Sequence, residues 1–340
     1  MKSTNDKILQ LLHTEDHTNI ELAFQLVKGM HLGQLNEHAR QALTKHPLLC
    51  LRHVPKVLAN VERLYLGFKK LHTLSEHIGA LRNLKILNLA NNRLSEIPRS
   101  IGQLSALQEL NGYFNQLIAI PDSIRQLQNL TLLNLSNNRL NRLPDSLTAL
   151  QKLQHLQVAK NQLNDFPQDP KGLLSLESLD LNGNQFTYLP EGIGALRYLK
   201  TLYLSHNQMV ELSDCVGELN GLEGLFLANN QLTHLPANIG KLKKLTRLGL
   251  EDNQLKILHP DIAHLKALQI LNLNGNQLTQ LPQSLSTLHQ LEWLGLANNQ
   301  FVEFPTVIFD FPHLKTLDLR GNKIKHIPME ALMIPHLIID

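Results

Sequence analysis

The chain has 340 residues, 43% of them hydrophobic but only 5% aromatic, so leucine rather than aromatic side chains must fill its interior. Its formal net charge of +3 is small for this length and argues against a polyanionic partner. The two cysteines, Cys50 and Cys215, lie far apart. The N-terminal stretch MKSTNDKILQLLHTEDHTN lacks the apolar core of a signal peptide, and no apolar run reaches the roughly 18 residues of a membrane span. The expected setting is therefore reducing and cytoplasmic.

Residues 1–60 do not repeat and read as a helical cap. Asn5 to Leu12 is a short helix candidate. Thr18 to Val27 is better marked: Glu21 follows Thr18 by three in a capping-box pattern, and Ile20, Ala23, Phe24 and Val27 share one face. Gly29 stands where a C-terminal cap belongs. A third helix is expected over Leu35 to Lys45, stopping before His46-Pro47, after which Leu48, Leu49 and Leu51 lead into the next region.

Residues 61–336 repeat. Val61 to Asn83 is a degenerate first copy, with Lys69 and Ser75 at later motif positions. From Leu84 the pattern LKILNLANNRLSEIP recurs at a fixed 23-residue interval, starting at Leu84, Leu107, Leu130, Leu153, Leu176, Leu199, Leu222, Leu245, Leu268, Leu291 and Leu314. A fixed short period is the signature of a solenoid. Leu87 and Leu89, two apart, point to one face of a short strand that cannot bury them alone. Stacked copies make a parallel sheet with a continuous core. Leu94, Ile97, Ile101 and Leu104 return the chain along the back in 3₁₀-like turns.

One asparagine column is complete: Asn92, Asn115, Asn138, Asn161, Asn184, Asn207, Asn230, Asn253, Asn276, Asn299 and Asn322. An amide both donates and accepts, so it can satisfy buried backbone groups of a turn; these residues are structural. A proline column is broken only at Ser213 and His259, where the adjacent Pro260 suggests a turn displaced by one residue. Gly112 replaces an inner leucine and predicts a packing gap filled by Tyr113 or Phe114. Counting the degenerate copy, twelve strands are expected. Leu337 is in register to open a further repeat, making residues 337–340 a truncated end; an open sheet edge there offers a route to a dimer, although a monomer is the leading expectation.

The template LxxLxLxxNxLxxLPxxIxxLxx resembles the leucine-rich repeat (LRR), in the 23-residue class of plant Ras-group-related, Scribble-type and bacterial LRR proteins. The resemblance covers about three quarters of the chain. It implies an α/β LRR solenoid, a horseshoe with the parallel β-sheet on its concave face, and asparagines laddered between repeats. It also implies a non-catalytic protein-interaction module, a scaffold or signalling component.

Catalytic motifs are missing from the sequence: there is no GxxxxGK[ST], GxGxxG, HExxH, CxxC or GxSxG, so no enzyme activity and no cofactor are expected. What remains is the concave face, formed by motif positions 3, 5 and 7, which the repeat leaves free. Tyr203 and Phe226 neighbour one another there. Trp293, the only tryptophan, stands beside Ile270, with Gly224, Gly249 and Gly295 as low ground among them. Arg247, Glu251, Asp180, Asp318 and Arg320 add charge. Bulky aromatics over small residues make a pocketed surface suited to binding hot spots. The expected partner-binding residues are Tyr203, Phe226, Ile270, Trp293, Arg247 and Glu251. Glu109, Glu177, Glu223, Asp252 and Glu292 face Lys85, Lys160, Lys200 and Lys315, a mixture that excludes the basic stripe of a nucleic-acid binder. The first reading is a module binding a protein or peptide. The alternative is a recognition unit for a small ligand, carbohydrate or metal, with His313 and His336 at equivalent positions of successive repeats as its marker.

Overall fold

The structure, a computed structural model, describes residues 3–14 and 16–340; Met1, Lys2 and Glu15, which belong to the N-terminal stretch read above, lie outside the described residues. Two compact units emerge, Met1–Leu133 and Asn134–Asp340.

In the first unit, four helices precede the repeats: α1 (Thr4–Leu12), α2 (His17–Lys28), α3 (Glu37–Thr44) and α4 (Pro47–His53). The true N-cap of α2 is Asp16, whose carboxylate accepts from the Thr18 N–H at 2.8 Å; Thr18 sits in the first turn instead of capping it. Gly29 closes α2 with φ −86°, without the left-handed turn that favours glycine. The leucines after Pro47 form α4 rather than a descending loop. Pro47 at its first position lacks only an N–H that a helix start cannot use. Phe24, Val27, Leu43, Cys50 and Leu51 are buried between these helices, and the buried face of α2, with Ile20, Ala23, Phe24 and Val27, is the one the spacing marked.

Three-residue strands follow, each with its middle leucine buried and its flanking residues turned outward. β1 (Arg63–Tyr65), β2 (Ile86–Asn88) and β3 (Glu109–Asn111) pair in parallel with offsets of 23 residues. β4 (Leu132–Asn134) contains the point of division.

The second unit continues with β5 (His155–Gln157), β6 (Ser178–Asp180), β7 (Thr201–Tyr203), β8 (Gly224–Phe226), β9 (Arg247–Gly249), β10 (Ile270–Asn272), β11 (Trp293–Gly295), β12 (Thr316–Asp318) and β13 (His336–Ile338), parallel and in sequence order. Each strand is followed by an inward turn, and nearly every return passes through a 3₁₀ turn such as Ala237–Lys241. The core is the leucine stack: Leu225, Leu227, Leu232, Leu245, Leu248 and Leu250 have no exposed surface. Each such burial contributes about 2 kcal/mol, so one repeat cannot fold alone but a stack can.

The asparagine column behaves as a ladder. Asn230 Nδ2 donates to Leu227 O of its own repeat and Leu204 O of the preceding one, both at 3.0 Å, and its Oδ1 accepts from Met209 N at 3.0 Å. The residue before each ladder asparagine adopts φ between 52° and 69° from Asn137 to Gly321 within this unit, which explains the Asn, Asp and Gly enrichment of that column.

Four expectations are corrected. His259 occupies the proline place without any shift: its Nδ1 accepts from Asp261 N at 3.3 Å, and Pro260 opens the 3₁₀ turn where Asp214 does in the Ser213 repeat. Tyr113 and Phe114 do not fill the space at Gly112; both are exposed, since they occupy outward and left-handed positions of the turn. Thirteen strands, not twelve, occur among the described residues, because Leu337 pairs with Leu317 and not with Leu314. The last return is three residues short: the 3₁₀ turn Met329–Met333 delivers the chain early, so Leu337 is a middle-strand leucine. His336 consequently lies opposite Thr316 on the open face and is not equivalent to His313.

Candidate functional site

The open face of the sheet carries a structural constraint that the strand residues must meet. In each repeat the N–H at motif position 7 needs an acceptor. At Ala90, Tyr113, Ser136, Asn182, Asn274 and Arg320 it donates to the side-chain oxygen of the Asn or Asp two residues earlier, at 2.9–3.2 Å. Position 5 is therefore Asn or Asp for a local reason. Ser205, Ala228 and Ala297 use a different acceptor, the position-7 side chain one repeat back: Asn182 Oδ1 at 2.7 Å, Ser205 Oγ at 3.2 Å and Asn274 Oδ1 at 2.7 Å. Ala159 does the same, donating to Ser136 Oγ at 3.1 Å. That substitution releases position 5, and there Gln157, Tyr203, Phe226 and Gly295 stand. Gly249 is released too, but neither Gly249 nor Ala228 offers an acceptor to Glu251, whose N–H is left to its own carboxylate.

Two of the freed positions, Phe226 and Gly249, join residues of neighbouring columns in one pocket within the second unit. Tyr203 and Phe226 stack with centroids 5.0 Å apart and planes 10° from parallel, a geometry that adds to their area burial. The Arg247 guanidinium lies 5.7 Å from the centre of the Phe226 ring. Glycines make room for these groups to lie down on the sheet. A Cβ on Gly249 would come within 3.1 Å of the Glu251 carboxylate and 3.3 Å of Phe226, and one on Gly295 within 2.5 Å of the Trp293 ring. The result is a pocket of about 300 Å³ lined by Phe226, Arg247, Leu248, Gly249, Glu251, Ile270, Asn272 and Trp293. A larger hollow of about 430 Å³ lies along the turns around Phe301 and Pro305. Leu281, Phe301, Phe304 and Pro305 in its wall stand at positions the repeat prescribes, and the rest are mainly polar turn residues.

Electrostatics single out one group. Burial pushes the Glu251 carboxyl above the ordinary carboxylate range, with Asp252 adding to the shift and its own N–H opposing it. Glu251 Oε2 is fully covered and has no hydrogen-bond partner. Asp180 is likewise raised by burial, though Asn182 N donates to it at 3.0 Å. Asp318 is held below the ordinary range by Arg320, whose Nη2 and Nε reach it at 2.7 and 3.0 Å.

Of the residues named from sequence, Phe226, Ile270, Trp293, Arg247 and Glu251 line the pocket, and Tyr203 braces it through its stack on Phe226. Asp318 and Arg320 satisfy one another, and Asp180 lies outside the lining. Lys200 and Lys315 pair with Glu177 and Glu292 at 2.7 Å, one repeat apart, so those charges neutralise along the strand starts. Asn272 and the covered Glu251 oxygen were not legible as pocket features; the sequence signal was the loss of Asn or Asp at position 5 in neighbouring repeats.

Other candidates give less. Burial lifts the Cys50 thiol to about 12, which keeps it protonated and inert. Among the described residues no group of three or more His, Cys, Asp or Glu side chains is placed to hold a metal, and the displacement of His336 removes the pairing with His313 on which a metal reading rested. Among the described residues no helix is long and apolar enough to cross a membrane.

Comparison with known proteins follows the same lines. Family profiles match along the chain: "Leucine-rich repeat region" over residues 168–251, "Leucine rich repeat" over 59–117 and 243–301, and two further leucine-rich repeat profiles over 129–150 and 312–326. Curated protein sequences yield no match. Among solved structures, an LRR protein of Leptospira interrogans is 32% identical, with 86% of this chain aligned to 87% of that one and a TM-score of 0.65. An internalin of Listeria monocytogenes, 21% identical, aligns 88% of this chain with 89% of its own at a TM-score of 0.75, and shows the fold alone. The LRR ectodomain of an Arabidopsis thaliana membrane receptor kinase, solved in complex with CASPARIAN STRIP INTEGRITY FACTOR 2, is 30% identical over 78% of this chain and 39% of that one, with a TM-score of 0.51.

Proposed function

The chain belongs to the leucine-rich repeat family, and on that footing we propose that it is a non-catalytic module that binds a protein or peptide on the open face of β7–β11. One observation carries the reading. The position-7 cap is handed to the preceding repeat at Ser205 and Ala228, and the positions so freed carry the stacked pair Tyr203 and Phe226, beside a pocket to which Gly249 and the position-3 residue Trp293 also contribute. Folding does not call for these residues there, and aromatic anchors beside shallow ground are the usual composition of a hot spot. The solved complex of the plant receptor ectodomain supports a partner-binding use of such repeats.

The reading places the chain in the cytoplasm, with no nucleic acid and no catalytic chemistry; the two unbridged thiols and the paired surface charges support it. Phe226→Ala and Trp293→Ala test the site. Each should weaken binding of a captured partner by tenfold or more, about 1.4 kcal/mol, while leaving the unfolding midpoint nearly unchanged. Unfolding of either variant would make these residues core and contradict the proposal.

A further inference from the structure

We infer that the pocket on β8–β11 takes the side chain of a lysine presented by the partner polypeptide, with Glu251 receiving its ammonium group. The inference rests on the proposed binding face and specifies what enters it. Phe226, Ile270 and Trp293 supply apolar walls that suit an aliphatic stem, and at about 300 Å³ the space stands at the lower end for a small-ligand pocket and has room for one long side chain. Glu251 is the one acid in the wall. Among the described residues none forms an ion pair with it, though the charge of His206 acts on it, and one carboxylate oxygen is covered without a donor. A charge so placed is costly unless something compensates it.

Arg247 does not serve that purpose. Its head leans across Phe226 towards β8, with Nη2 3.5 Å from where a Cβ on Gly224 would stand. The floor beside Glu251 is Gly249, where a side chain would meet both the carboxylate and Phe226. An alkyl chain lying along Ile270 and Trp293 would bring a terminal cation to the carboxylate and beside the Trp293 indole, which favours cations further. An uncharged stem of equal length would fill the walls and leave the acid uncompensated. An acidic tip would be repelled.

Trp293 is the only tryptophan and reports the pocket directly. Its fluorescence is titrated with Nα-acetyl-lysine N-methylamide and with the norleucine analogue, which has the same stem without the ammonium. The lysine compound should bind about tenfold or more tightly than the norleucine compound. Glu251→Gln should abolish that preference while leaving norleucine binding unchanged. Affinity for the lysine compound should also fall as acid protonates Glu251 in the wild type, and in Glu251→Gln should keep only the smaller dependence due to His206 and Asp252, the other titratable groups whose charge acts here. Equal binding of the two compounds, or a preference surviving in Glu251→Gln, overturns the inference while leaving the binding face intact. No saturable signal with either compound overturns it as well. Loss of partner binding on Phe226→Ala is read separately, so failure of the face and failure of the lysine assignment are distinguishable.

Discussion

Asn230→Ala isolates what the ladder contributes beneath the pocket. The side chain is almost fully covered, and its amide makes three bonds of 3.0 Å to main-chain groups, Leu204 O, Leu227 O and Met209 N, besides a longer one to Ala228 O at 3.3 Å. Alanine would leave these buried groups without that partner. At about 1 kcal/mol for each lost bond, the cost is about 3 kcal/mol, and more where a group stays dry and unpaired. Two of the three groups belong to the preceding repeat, so the damage extends across a repeat junction. Urea unfolding followed by circular dichroism measures it, with Gln231→Ala, an exposed neighbour, as the control. The variant should shift the midpoint downward by the equivalent of about 3 kcal/mol and the control by less than about 0.5 kcal/mol. A loss below about 1 kcal/mol for Asn230→Ala would refute the ladder as a main support of the turn.

Two further outcomes follow from the geometry. Gly295→Ala would drive a methyl group to within 2.5 Å of the Trp293 ring and closer than 3 Å to Asn272 and Asn274 side-chain oxygens. The indole must lift from the sheet, so tryptophan emission should shift and partner affinity fall, whereas an unchanged spectrum would mean that Trp293 does not rest on Gly295. Asp318 has a folded pKa below its unfolded one because Arg320 holds its charged form. Its contribution is therefore present above the unfolded pKa and disappears as pH falls through the lower folded value, below about pH 4. Asp318→Asn should lower stability at neutral pH by about 1 kcal/mol, given the exposed Arg320, and should flatten the acid limb of the stability profile. An acid limb identical to that of the wild type would contradict the pairing.

The solenoid was legible because its cause is periodic. Leucines at motif positions 4 and 6 and asparagine at position 9 each have one physical role, and a 23-residue interval repeats that role without change. The open face was legible in part for the opposite reason: the repeat leaves those positions free, so Phe226, Ile270, Trp293, Arg247 and Glu251 could be named before their pocket was seen. What escaped was set by contacts between repeats or by chain ends. The handover of the position-7 cap to Asn182, Ser205 and Asn274 is a bond across 23 residues, invisible to a column-by-column reading. The missing side-chain acceptor for the Glu251 N–H follows from two absences, at Gly249 and Ala228, that no single repeat displays. At the C-terminal end, extrapolating the period put Leu337 at the head of a repeat, but a return shortened by three residues made it the middle of β13. In the helices, Asp16 outcompeted Thr18 because its carboxylate reaches the Thr18 N–H, and Pro47 began a helix that was read as a descent.

The central claim, that the open face of β7–β11 binds a polypeptide, is tested most directly by capture from source-cell lysate with the wild-type chain and with a Tyr203→Ala, Phe226→Ala, Trp293→Ala triple variant of matched stability. Bound proteins are identified by mass spectrometry, and the interaction is then measured with the purified partner. The account predicts a protein retained by the wild type and lost by the variant. The same proteins recovered equally with both would contradict it.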